Sequence, residues 1–387
     1  MTFNFDLAVK REHTNSVKFD GRLQYFGTAD VSPLWVADMD FAVPDCITQA
    51  LQQRLNHPVF GYSLYPESLY QATIDWFARR HGWHIERDWI LMAPGVVPSL
   101  FAAVLAFTKE GEGVIVQSPV YFPFFSAVTT NHRTLINNQL REVDGRYEID
   151  FDHLEECAKQ GARLLMLCTP HNPVGRVWSV EELTKVLAIA RRYDLTILSD
   201  DIHCDLVYPD NNHTMLGRLA QPGDKIVTTI APNKTFNIPG LGLSALVIPD
   251  KSQRDAMRLA FEKLHVGNHN PFSIVAYEAA YRGGDVWLDA LMKYLTITRD
   301  FVAGFIAQEI PQIKLVKPEA TYLLWLDCRE LGLSDAALRD FFIRECKLGL
   351  SPGIVFGDGG SGFMRMNIGT RLGLIKEALN SMRIHIK

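Results

Sequence analysis

The 387-residue chain contains no lysine- or arginine-rich block, no apolar run of membrane-spanning length and no Cys-x-x-Cys pair. Each absence excludes a class of protein. With a net charge of −5 and no basic patch, nucleic acid and anionic membrane surfaces find no electrostatic footing. A transmembrane helix needs about 20 consecutive apolar residues, and no such run occurs. The six cysteines, Cys46, Cys157, Cys168, Cys204, Cys328 and Cys346, are scattered without metal-ligand spacing. They read as buried, reduced thiols of a cytoplasmic protein, and no metal is expected. The opening MTFNFDLAVK has neither a basic nor an apolar region of the kind a secretory signal needs, so no such signal is expected. What is present is an ordinary globular composition, 47% hydrophobic and 21% charged, with length for two or three domains around a large core.

Hydrophobic periodicity divides the chain into an alternating part and a mixed part. Residues 47–55, 69–81, 98–109 and 181–193 carry helical patterns, the second ended by Gly82. Short apolar runs at 89–92, 113–117, 164–168, 195–199, 226–230 and 243–248 read as strands. This alternation predicts a three-layer α/β/α unit around a mostly parallel sheet covered on both faces. Further on, 273–282, 286–310, 334–345 and 374–386 read as helices, and 314–316, 321–326 and 363–368 as strands. They predict a smaller α+β unit. The expected division is a loop-rich N-terminal arm (1–45) packing with the small domain, a large domain (46–285) and a C-terminal small domain (286–387).

The most informative stretch is APNKTFNIPG, Ala231 to Gly240, directly after the strand pattern at 226–230. Burying a lysine there is costly for structure but useful for chemistry. Desolvation lowers the amine pKa, and a neutral amine can form a Schiff base with an aldehyde cofactor. Asp200 ends another apolar strand 34 residues upstream. Lysine and aspartate together are what pyridoxal phosphate (PLP) requires. Lys234 would hold the aldehyde, and Asp200 would keep the pyridine nitrogen protonated. Metal binding by the charged run from Ser199 to Asp205 finds no second ligand group at a recognisable spacing.

Four other motifs gain weight from that pair. Gly95, Val96 and Val97 join a strand to a helix, where free N–H groups could hold a phosphate. Tyr121 could stack on a flat ring or simply belong to the core. Asn172 lies between Pro170 and Pro173, and its amide could donate to the PLP phenolate oxygen. Arg365 sits inside an apolar strand and needs an anion. The residues leave open whether that anion is a substrate carboxylate or an internal carboxylate. Nothing physical in the aromatic loop from His57 to Tyr65 gives Tyr62 a ligand.

Taken together, these motifs resemble the fold-type I PLP enzymes of the aminotransferase class I/II (aspartate aminotransferase) superfamily over nearly the whole chain. The runs WVADMDF (Trp35 to Phe41), HPVFGY (His57 to Tyr62) and SDDIH (Ser199 to His203) are similar to the cystathionine β-lyase or cysteine-S-conjugate β-lyase subfamily, the MalY/PatB type. The resemblance implies that His203 stands at the phenolate oxygen where most aminotransferases place a tyrosine. It implies that Tyr62 reaches the phosphate in the neighbouring subunit, making the protein a homodimer with shared sites. It makes Arg365 the substrate-carboxylate residue. Two positions depart from many aminotransferases: Ala231 replaces a serine and Gly242 an arginine, both on the phosphate. Asn233, directly before the lysine, could supply a donor there.

The activity so implied is PLP-dependent carbon–sulfur β-elimination. L-Cystathionine and related S-substituted cysteines would give a thiol (homocysteine), pyruvate and ammonia. An amino-acid aminotransferase is the alternative, because both reactions begin with loss of the α-proton; His203 favours the lyase. A regulatory protein binding a transcription activator is a third reading, for which no surface patch can be named.

Overall fold

The structure, a computed structural model, describes residues 3–267 and 270–386. The N-terminal segment forms two short helices, α1 (Val17–Asp20) and α2 (Arg22–Phe26), and a two-residue strand, β1 (Ser32–Pro33). Helices α3 (Asp45–Leu55) and α4 (Glu67–His81) follow, the latter ended by Gly82 in the left-handed conformation that glycine adopts without a Cβ penalty.

The alternating region then runs β2 (Ile90–Ala93), α5 (Val96–Phe107), β3 (Gly113–Val116), α6 (Pro123–Thr129) and β4 (Thr134–Asn137). A hairpin, β5 (Arg141–Val143) and β6 (Arg146–Glu148), leads to α7 (Phe151–Lys159), β7 (Ala162–Cys168), α8 (Val180–Arg192) and β8 (Thr196–Asp200). Strands β9 (Ile226–Ile230) and β10 (Ser244–Val247) and helix α9 (Lys251–Lys263) complete it. The seven strands order as β2-β10-β9-β8-β7-β3-β4. All neighbouring pairs are parallel except the two made by β10. The expected three-layer unit is therefore present, with one reversed strand inside the sheet.

Period-two alternation explains the layers. Leu164, Met166 and Leu198 face a core shared with Leu100 and Ala103 of α5 and Met257 of α9. Leu165, Leu167 and Ile197 face the opposite core, with Leu154 of α7 and Leu183 and Leu187 of α8. Both faces are covered, which is why these strands read as unbroken apolar runs.

Beyond the sheet come α10 (Pro271–Gly283), α11 (Asp285–Glu309), β11 (Lys314–Leu315), β12 (Leu323–Asp327) and α12 (Asp335–Arg344). Strands β13 (Leu348–Gly349), β14 (Ser351–Pro352) and β15 (Phe363–Asn367) and helix α13 (Leu372–His385) end the described chain. Strands β11-β12-β15-β14 form an antiparallel sheet, and β1 pairs in parallel with β13. The buried Arg176 ties the two sheets together. It pairs with Glu319 at 2.5 Å and Glu182 at 2.7 Å, fixing the loop that carries Asn172. Among the described residues no helix is long and apolar enough to cross a membrane.

Candidate active site

The C-terminal ends of the parallel strands point to one edge, where ligands bind in open α/β sheets. Asp200 is the last residue of β8, Asn172 follows β7, Lys234 lies in the turn after β9, and Gly95 precedes α5. With Val96, Val97, Tyr121, His203 and Asn233 they line one cavity of about 250 Å³. Arg365 reaches the same place from the middle of β15 in the other sheet.

The electrostatics of this cavity are unbalanced in a specific way. Asp200 is buried, and its Oδ1 accepts from Ile202 N and Thr229 Oγ1, both at 3.2 Å. Burial nevertheless pushes its carboxyl up to about 7. Lys234 is pushed down to about 8, first by burial and then by Arg365. Its Nζ donates to the Ala37 carbonyl at 2.6 Å. His203 is pushed down to about 3 by burial, Lys234 and Arg365, so its ring is neutral. Its buried Nδ1 has no partner.

Arg365 does not find the internal carboxylate that the sequence left open. It makes no ion pair among the described residues; Nη1 donates to Asn172 Oδ1 at 3.0 Å and Nη2 to the Trp35 carbonyl at 2.9 Å. Its buried Nε has no partner. A buried guanidinium without a carboxylate is costly unless an anion arrives from outside. The bond to Oδ1 also turns the Asn172 side chain, which leaves its NH₂ available to a ligand.

At the other end, the first turn of α5 leaves the N–H groups of Val96 and Val97 without intrahelical acceptors. The helix starts at Val96, earlier than its sequence pattern, because Gly95 serves as the N-cap. Gly242 also lines the cavity, and its backbone conformation disfavours a side chain there. At φ +28°, an added Cβ would lie 3.3 Å from the Pro94 carbonyl. Lys234 is the only Lys or Arg among the residues lining the cavity.

Tyr62 is not brought to this cavity; it is 96% exposed. Sequence reasoning assigned no role to three elements. The Trp35–Phe41 run lies over the site as a strap, held by Tyr322 OH on the Ala37 carbonyl (2.9 Å), by Asn367 on Val36 and Asp38, and by Asn237 on Met39 and Phe41. The two aspartates of that run serve structure: Asp38 and Asp40 pair with Arg11 at 2.7 Å, and Asp40 with the buried Lys18 at 3.0 Å. Backbone acceptors such as Ala37 leave no signal in a sequence. The third element is Asp205, whose Oδ1 accepts from Trp76 and His81 and whose Oδ2 accepts from Thr235. His81, Cys204 and Asp205 offer ligand atoms within 4.8 Å of one another, but both Asp205 oxygens are committed to these donors.

A mostly parallel sheet with polar groups gathered at this edge, joined to a smaller antiparallel sheet, is the aspartate aminotransferase-like fold. The chain belongs to the aminotransferase class I and II family, whose model matches residues 29–382. It is 42% identical to the cystathionine β-lyase PatB of Bacillus subtilis, across 98% of this chain and 99% of PatB. It is 34% identical to the protein MalY of Escherichia coli, across 95% and 94%. Among solved structures, cystalysin of Treponema denticola, which contains pyridoxal 5'-phosphate, matches with a TM-score of 0.96 at 36% identity. That match covers all of this chain and 99% of cystalysin.

Proposed function

We propose that this protein is a cytoplasmic PLP-dependent carbon–sulfur β-lyase acting on L-cystathionine and related S-substituted cysteines. The observation that carries the reading is an unbalanced trio at one cavity: a carboxyl raised to about 7 and an amine lowered to about 8 in its lining, and, bonded to Asn172 of that lining, a buried arginine with no counter-ion among the described residues. Each lacks the partner that PLP and an amino-acid substrate would bring. Asp200 would meet the pyridine nitrogen, and the NH₂ of Asn172 and the unpartnered His203 ring would meet the phenolate oxygen. Tyr121 would stack on the ring. Val96, Val97 and the Gly95 turn, with Asn233 beside them, would receive the phosphate at a helix N-terminus, where the dipole favours an anion.

When bound, PLP supplies an aldehyde for amine attachment and a conjugated ring that accepts the electron pair released at the substrate α-carbon. Lys234 takes the α-proton, and its lowered pKa makes the free amine accessible near neutral pH. Asp200 keeps the ring nitrogen charged. Arg365 fixes the substrate carboxylate, so that the α-proton faces Lys234 and the Cβ–S bond is free to break. Cystathionine and water then yield homocysteine, pyruvate and ammonia. The names of PatB and of the Corynebacterium glutamicum cystathionine β-lyase, 30% identical over 85% of this chain, support a sulfur substrate.

Purified protein given L-cystathionine, with and without a 2-oxo acid, tests the reading. Pyruvate and free thiol in equal amounts without the 2-oxo acid are expected. Turnover that requires the 2-oxo acid and releases no thiol would make the protein an aminotransferase. The Arg365→Lys variant is expected to lose about 10- to 100-fold in kcat/KM. A point charge cannot reproduce the two-pronged hold on a carboxylate or the bond that orients Asn172.

The same reading makes the working unit a homodimer with shared sites. Tyr62 stands fully exposed beside Phe60 and Leu64, apolar groups with 54% and 92% exposure. If Tyr62 serves the partner's cavity, mixing inactive Tyr62→Ala and Lys234→Ala subunits restores activity. Random pairing puts one intact site in half of the dimers, giving about a quarter of the wild-type rate. No recovery after subunit exchange would place Tyr62 outside the partner's site.

A further inference from the structure

The charged run after β8 contains more acid than the proposed chemistry uses. Asp205 lies five residues beyond Asp200, buried, and ionised burial has to be offset. Its Oδ1 accepts from Trp76 Nε1 at 3.0 Å and His81 Nε2 at 2.7 Å, and its Oδ2 accepts from Thr235 Oγ1 at 2.8 Å. Burial pushes this carboxyl up, yet the bonds from His81, Thr235 and Trp76 together hold it below its ordinary value. An apolar side chain of similar size would fill the space without that desolvation cost.

What the carboxylate provides is direction. Thr235 is fully buried and adjoins Lys234. The turn that carries them is pinned on one side at Ala37, Met39 and Phe41, through Lys234 and Asn237. The Thr235–Asp205 bond pins it on the other side, to the segment that also carries Asp200 and His203. Trp76 and His81 anchor Asp205 in turn to α4.

We propose that Asp205, acting through Thr235, is a positioning residue. It sets the distance between the Lys234 turn and the Asp200–His203 segment, with His81 and Trp76 as its support. The proposal rests on the reading of Lys234 as the cofactor lysine and adds a part of the site that contacts neither cofactor nor substrate.

Thr235→Val keeps the shape and removes the hydroxyl. Two readouts are taken: steady-state constants with L-cystathionine, and acetic anhydride labelling of Lys234 in cofactor-stripped protein across pH, read by peptide mass spectrometry. A turn released from Asp205 is expected to lower kcat about 10-fold or more, with KM within about 2-fold, because misplacement by about 1 Å is this costly. The labelling midpoint is expected to rise from near 8 towards the ordinary lysine value, and Thr235→Ser restores both. A folded Thr235→Val with wild-type kcat and an unmoved midpoint overturns the proposal. If Thr235→Val does not fold, His81→Phe removes a donor from the far side of Asp205 and is judged by the same two readouts. Cofactor attached in the wild-type protein to a lysine other than Lys234 would instead defeat the underlying reading.

Discussion

Lys234→Ala is expected to lower release of pyruvate and thiol from L-cystathionine by about 10⁴-fold, because one amine both anchors the cofactor and moves the proton. The environment prepares the amine for both roles. With its pKa near 8, about a tenth of the amine is neutral at pH 7. At the ordinary value of 10.5 that fraction is about 0.03%, so the site raises the reactive form by roughly 300-fold. Burial does most of this and Arg365 adds to it, while Asp38 and Asp200 pull the other way. Added methylamine partly restoring turnover in the variant would identify the missing group as an amine. Residual activity above a few per cent would show that another base takes the α-proton.

Asp200→Asn is the second large effect. Asparagine keeps the shape and can still accept from Ile202 and Thr229, but it cannot hold a charge on a pyridine nitrogen. The loss expected for one preorganised electrostatic contact at a reacting centre is about 10²- to 10³-fold in kcat. Cofactor attachment at Lys234 should survive, since that bond does not need the ring charge. Kinetic constants and the absorbance of bound cofactor separate the two effects. A variant that keeps wild-type kcat would remove Asp200 from the ring nitrogen.

Much of this site was legible because chemistry-bearing residues stand directly after apolar strands. Lys234 after β9, Asp200 at the end of β8 and Asn172 after β7 all break a buried run with polar groups, and strand ends on one edge of a parallel sheet converge. The layers were legible for the same reason: runs such as Leu164 to Cys168 have no polar face. The reversed direction of β10 was not, because alternation of burial carries no information about chain direction. Helix α9 leaves little signal because its sequence, KSQRDAMRLAFEK, is mostly polar and buries only a narrow stripe with Met257, Ala260 and Phe261. Edge strand β4, partly exposed, lacks the continuous apolar pattern of its neighbours.

At Arg365 the sequence posed a question that only packing could answer. An arginine in a strand needs an anion, and three-dimensional proximity decides whether the chain supplies it. Here the neighbours are an amide oxygen, a carbonyl and the Ser351 hydroxyl at 3.4 Å, so the chain supplies none among the described residues. Asp201 and Asp205, read only as charge near the site, are each paired with a histidine, Asp201 with His213 at 3.0 Å and Asp205 with His81 at 2.7 Å. Such pairs span 12 and 124 residues of sequence, and the longer one is invisible to any local pattern.

The most direct test of the account is to reduce the PLP-loaded protein with borohydride, digest it and find which lysine carries the phosphopyridoxyl group, at pH 7 and again at pH 9. The account predicts the label on Lys234 at both, with faster capture by stripped protein at pH 9, as an amine of pKa near 8 requires. Label on a different lysine, or capture at Lys234 rising only above pH 10, would contradict it.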